Sequence, residues 1–184
     1  MLQTEVPLFI QSIILAIDSG QPVMFIAEII VIILLLFASA AMSASEVAYF
    51  SLTATDLNEI SNKKTQSAEL ALRLISQPRK LLATILIVNN FVNVGIVIIS
   101  TFLVSNLFDF STSPLLGFII QVIVITSMIL LAGEIIPKVY ATSQAKRIVL
   151  FMAKPLKLLS QIFYPLSVLL TGSTNFIDKK LARK

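Results

Sequence analysis

The 184-residue sequence has no histidine, no cysteine and no tryptophan. Without cysteine there are no disulfides and no thiol chemistry. Without histidine the commonest general base and the commonest metal-ligand nitrogen are missing. Any metal bound by this chain must therefore be held by oxygen. Charge is scarce as well: 13% of residues are charged against 57% hydrophobic, a balance that a soluble domain of this size rarely carries.

What is present is long apolar sequence. Residues 23–50, 81–104 and 115–136 each exceed the ~20 residues needed to cross a hydrocarbon core ~30 Å thick. A fourth apolar stretch, 148–171, is interrupted by Lys154, Pro155, Lys157 and Pro165. A charge in mid-span is costly, so this stretch reads as broken amphipathic helices at the interface, with lysines reaching to water; a fourth span is the alternative. The expected fold is an all-α membrane protein: three transmembrane helices per protomer and a belt of amphipathic juxtamembrane helices over 139–175.

Basic residues are confined to two places. Lys63, Lys64, Arg73, Arg79 and Lys80 lie between the first two spans, and the other nine run from Lys138 to Lys184. Residues 1–62 and 81–137 hold none. By the positive-inside rule both basic regions are cytoplasmic, and the N-terminus and the loop 105–114 are outside. Three spans satisfy this without conflict. The sequence pI near 9.5 needs no nucleic acid to explain it, because the bases flank spans, where anionic membrane lipid is the natural partner. The expected location is a bacterial inner membrane, with the C-terminus cytoplasmic.

Residues 1–22 lack a basic leading region and carry Glu5, so they read as an extracytoplasmic segment rather than a signal peptide. The cytoplasmic loop 53–80 reads as helices that begin at an N-cap on Thr55. They carry Leu57, Ile60, Leu70 and Leu74 on apolar positions and end at Pro78.

Polar groups inside the spans are the main functional signal, because burying them there is expensive. The first span holds Ser39, Ser43, Ser45 and Glu46 in "SAAMSASEVAYF". The second holds Asn89, Asn90 and Asn93 in "ATILIVNNFVNVGIVIIS", and the third Gly133 and Glu134 in "LAGEIIPK". Asn89 and Asn93 are four apart and share a helix face; Asn90 points about 100° away. Counted from Thr53 and Leu81, Ser43 and Asn89 both lie ~12–15 Å into the membrane. Pro137 has no N–H to give the carbonyl of Gly133, four residues earlier, and its ring pushes that carbonyl aside. Freed carbonyls in broken membrane helices coordinate cations in transporters.

The metal-ligand set is thus Ser43, Asn89, Asn93, the Gly133 carbonyl and Glu134, an oxygen-only group suited to a hard cation. Pro137 is its helix break. Ser39, Glu46 and Asn90 are assigned to a second ion or to packing. Against this, Ser and Asn in membrane helices are often interhelical glue, and Pro137 near the inner boundary can simply end a helix. Enzyme chemistry is not expected: a serine hydrolase lacks its histidine, and no two aspartates lie within the spans.

Three motifs, "SASEVAYFSLTATDLNEI", "PRKLLATILIVNNFVNV" and "GEIIPKVYA", together resemble the transmembrane (DUF21) domain of the CorC/CNNM magnesium transporters over residues 23–175. The resemblance implies a homodimer of three-span protomers that exports Mg²⁺ coupled to Na⁺ influx. It carries the metal site onto Ser43, Asn89, Asn93, Gly133 and Glu134. Family members usually continue into cytosolic CBS domains. This chain stops after a short linker, 176–184, as a truncated piece or a natural short form. The alternative function is a non-transporting membrane scaffold that anchors a partner protein.

Overall fold

The structure is a computed structural model in which residues 22–107 and 114–169 are described. Among these the chain is all-α, with no strand. Helix α1 is Pro22–Phe50, α2 Ala54–Asn62, α3 Gln66–Ile75, α4 Pro78–Leu107 and α5 Pro114–Met128. A π-helical segment, Ile129–Ile135, joins α5 to α6, Ile136–Ile162, without a gap. Three stretches are long and apolar enough to cross a membrane: Val23–Phe50, Pro78–Ser105 and Gly117–Ile162. The segment 1–21, the tip of the expected outer loop and the linker 176–184 lie outside the described residues.

Helix is dictated by the solvent. In hydrocarbon a backbone must satisfy its own polar groups, and the long runs without charge leave the chain no other option. The faces then sort by what they touch. On α1, Ile32, Ser39, Met42, Ser43 and Tyr49 are buried, while Ile33, Leu34 and Phe37 are exposed. The buried positions recur at three, four and seven residues, the spacing of one helix face. That face packs on α4, on the π segment and on α6, so α1 is the central helix.

The loop between the first two spans folds as two short helices with their own caps. Thr53 accepts from the Asp56 N–H at 3.2 Å, and Asp56 Oδ2 accepts from the Thr53 N–H at 2.9 Å. This capping box corrects the expected cap at Thr55: the reciprocal pair needs an acid three residues on, which Thr53 has. Thr65 caps α3 by accepting from the Ala68 N–H. Pro78 also proves to open a helix rather than close one. Helix α3 ends at Ile75, and Pro78 is the first residue of α4, where its missing N–H leaves no bond unmade.

The third span does not stop at Pro137. The helix continues to a kink at Gln144 (φ −122°, ψ 26°), and its remainder forms the juxtamembrane belt. Pro155 lies within that remainder without dividing it. Ala68, Ala71 and Leu74 of α3 are buried, as are Val149, Met152, Ala153 and Leu156 of α6, and the two helices pack together. The buried Tyr49 hydroxyl donates to the Val149 carbonyl at 3.0 Å, tying the C-terminal end of α1 to α6.

Candidate cation site

The site begins with a serine on the central helix. Ser39 is fully buried, and its Oγ lies 2.7 Å from Asn93 Oδ1 and 3.2 Å from Asn89 Oδ1. A hydroxyl has one proton to donate. It serves the shorter contact, so three oxygens gather around a single hydrogen. Asn93 Nδ2 in turn donates to Glu134 Oε1 at 3.1 Å. One chain of polar contacts therefore runs from α1 through α4 to the π segment.

The asparagines are separated by helix geometry. Asn89 and Asn93, one turn apart, both reach Ser39, while Asn90 is turned onto the exposed surface.

Ser43 lies one turn from Ser39 on the same face of α1. Its Oγ is fully buried and has no hydrogen-bond partner among the described residues. A buried hydroxyl without a partner loses its hydration and gains nothing in return. Of the polar side chains gathered here, Ser43 has the hydroxyl not already engaged by another side chain.

The π segment explains how Gly133 and Glu134 arrive here. The Ile136 N–H bonds the Leu131 carbonyl, five residues back, in place of the α-helical four. Pro137 would be the i+4 partner of the Gly133 carbonyl and the i+5 partner of the Ala132 carbonyl. Having no N–H, it is neither. Widening the turn accommodates the proline ring without ending the helix, and such turns often mark functional sites. Gly133 is buried and packs against Ser39 so closely that a side chain would collide with the serine Oγ.

Below this layer, toward the belt, Glu46 and Lys138 form an ion pair at 3.1 Å. Glu46 is three residues from Ser43 and Lys138 four from Glu134, so the pair sits about one turn from the site. The carboxylate assigned to a second ion or to packing is thus engaged by a cation on the neighbouring helix.

The structure gathers Ser39, Asn89, Asn93, Gly133 and Glu134 and puts Ser43 one turn away. Depth counting from the sequence paired Ser43, not Ser39, with Asn89. It started α4 at Leu81, three residues late. Counted from Pro78, Asn93 lies ~22 Å along its helix, level with Ser39 at ~21 Å from Thr53, but Asn89 at ~16 Å still lies level with Ser43 at ~15 Å, so depth alone does not give the bond between Ser39 and Asn89. The sequence reads the small-residue run 38–45 as a face of close helix packing, and Ser39 lies on that face; what it did not give is that Ser39 bonds both asparagines.

Among the described residues no three His, Cys, Asp or Glu side chains cluster as a preformed metal site. The donors are mainly uncharged oxygens with one carboxylate. Such a set suits a hard cation held loosely.

Comparison with known proteins agrees with this architecture. A family model described as "Cyclin M transmembrane N-terminal domain" matches residues 29–183. A UPF0053 protein of Haemophilus influenzae is 34% identical over 137 residues, covering 74% of this chain and 31% of that protein. A UPF0053 protein of Synechocystis is 30% identical over 145 residues, covering 78% of this chain and 40% of its own. The chain thus spans well under half the length of these relatives. With a match over most of its residues, three spanning helices and no strand among the described residues, the chain belongs to the CNNM family, as an integral membrane domain of the cyclin M transmembrane type.

Proposed function

We propose that this chain is the translocation domain of a secondary transporter that exports Mg²⁺ from the cytoplasm, coupled to Na⁺ influx. Ser43, Asn89, Asn93, the Gly133 carbonyl and Glu134 supply oxygens to the ion, and Ser39 positions the two amides. The observation that carries the reading is an excess of acceptors. Two amide oxygens compete for the single Ser39 proton, and one turn away the Ser43 Oγ is buried with no partner among the described residues.

Magnitudes favour release over storage. One carboxylate leaves a divalent ion half neutralised, and affinity for hard cations grows with ligand charge. Mg²⁺ takes six oxygen ligands, so the protein oxygens that reach it are completed by water. The Glu46–Lys138 pair puts a cation and a carboxylate between the site and the belt. The confinement of all Lys and Arg to two regions supports the orientation, N-terminus outside. The functional unit is a homodimer in a bacterial inner membrane, as the family resemblance implies.

The test is flux. The purified protein in liposomes holding a Mg²⁺-sensitive dye should move Mg²⁺ when a Na⁺ gradient is imposed, and Asn93→Ala should abolish that movement. A scaffold would show no Mg²⁺ flux in the wild type, and that outcome would remove the transporter reading.

A further inference from the structure

A polar cavity lies away from the cation site, where α3, the start of α4 and α6 meet. It holds about 230 Å³ and is lined by Arg73, Lys80 and Lys157, together with Gln77, Leu74 and Leu81. No carboxylate lines it. Arg73 and Lys157 make no ion pair among the described residues, and the Lys80 ammonium stands 4.4 Å from the centroid of the Tyr164 ring. Two other cations are engaged by carboxylates: Lys146 lies 2.8 Å from Glu59 and 3.3 Å from Asp56, and Lys138 is paired with Glu46.

Three positive side chains on one small cavity repel one another unless an anion sits among them. The electropositive end of α4 adds to that field, since Gln77 is the residue whose carbonyl accepts the first helical bond, from the Leu81 N–H. The lining is mixed: cationic heads beside the buried Leu74 and Leu81. Leu81 lies three residues into a membrane-spanning helix, so the cavity is at the level where headgroups meet hydrocarbon. Basic pockets between helices at the cytoplasmic boundary are suited to anionic lipid headgroups.

We propose that this cavity is a binding site for a phosphate ester, supplied by the headgroup of an anionic phospholipid, with Arg73, Lys80 and Lys157 as its ligands. It stands apart from ion transport and would fix α3 and the belt helix to the inner leaflet. Arg73 takes the phosphate by its guanidinium fork, and the lysines contribute point charges.

The experiment is a thermal-unfolding titration of the purified protein in a neutral detergent. The probes are short-chain phosphatidylglycerol, short-chain phosphatidylcholine and glycerol phosphate. Phosphatidylglycerol is expected to raise the midpoint beyond phosphatidylcholine. A juxtamembrane cation contributes a factor of about five to such binding, so the apparent affinity should fall at least tenfold in Arg73→Gln/Lys157→Gln. Lys63→Gln/Arg147→Gln removes the same charge elsewhere and should bind like the wild type. If the double variant fails to fold, each single variant should lose about fivefold. Glycerol phosphate matching the lipid would overturn the lipid source and assign the cavity to soluble phosphate esters. Equal affinity in wild type and pocket variant, or equal loss in the control, would overturn the site.

Discussion

A Cβ built on Gly133 would stand 2.8 Å from the Oγ of Ser39. The serine cannot easily give way, because its hydroxyl is held between Asn93 and Asn89. Glycine is therefore required here by close approach and not by backbone conformation. The contact couples the π turn of the third span to the central helix.

Gly133→Ala should destabilise the protein. Overpacking costs about 1–3 kcal/mol, and the gain in helix propensity from Gly to Ala returns about 1 kcal/mol, so the clash prevails. Adding Ser39→Ala removes the Oγ and leaves the Ser39 Cβ as nearest neighbour at 3.4 Å. The double variant should therefore recover part of the lost midpoint in thermal unfolding. A Gly133→Ala protein as stable as the wild type would show that the helices do not approach this closely.

Asn89→Ala and Asn93→Ala should each abolish Mg²⁺ flux, while Asn90→Ala, on the exposed surface, should be milder. Three equal defects would mean that the shared face of Asn89 and Asn93 is irrelevant to transport.

Pro137→Ala restores an N–H that can take the Gly133 carbonyl into an ordinary helical bond. The helix should gain local stability, since proline costs ~3 kcal/mol in a helix interior. Mg²⁺ should bind more weakly, because one oxygen is withdrawn. A Mg²⁺ titration of unfolding on both proteins decides this. Equal midpoints of titration in equally folded proteins would show that the proline matters only to the helix path.

The docking of α2 should depend on pH in a defined direction. Hydrogen bonds from the Thr53 side chain and backbone N–H hold the Asp56 carboxyl below the usual carboxylate range, and Lys146 adds to this. Hydrogen bonds to Glu59 and then Asp56 hold the Lys146 ammonium above its ordinary value of 10.5. A depressed carboxyl stabilises the fold above its unfolded value, and this is lost as pH falls through the folded one. A raised ammonium stabilises below its unfolded value, and this is lost as pH rises through the folded one. Amide-exchange protection of α2 should thus be flat near neutrality and fall only below the carboxylate range and above 10.5. Thr53→Ala should move the acid loss to higher pH. An unchanged acid limb would contradict the cap's role.

Much of this architecture is legible in the sequence, because a lipid solvent leaves few choices. The three spans follow from apolar length, and the separation of Asn90 from Asn89 and Asn93 follows from the helical period. Local chemistry was harder. Thr53 and Thr55 are both plausible caps until the partner acid Asp56 is counted, and Pro78 reads equally as the end of one helix or the start of the next. That Ser39 meets both asparagines was not legible from depth, since even a count from Pro78 sets Asn89 level with Ser43; it depends on how the two helices lean and how far the side chains reach. The π segment was beyond reach. A proline predicts a lost hydrogen bond, but whether the helix ends, kinks or widens depends on what packs against it, and here that is Ser39.

The proposal that Ser43 Oγ is a cation ligand is tested most directly by Ser43→Ala. Removing a buried donor without a partner relieves a penalty of about 1–3 kcal/mol, so in the absence of Mg²⁺ the variant should be at least as stable as the wild type. If the hydroxyl is a ligand, the same change should shrink the Mg²⁺-dependent rise in the unfolding midpoint. The measurement is a thermal-unfolding series across Mg²⁺ concentration on the two purified proteins. The account predicts a variant that starts at an equal or higher midpoint and responds less to Mg²⁺. A variant that starts lower and keeps the full Mg²⁺ response would contradict it.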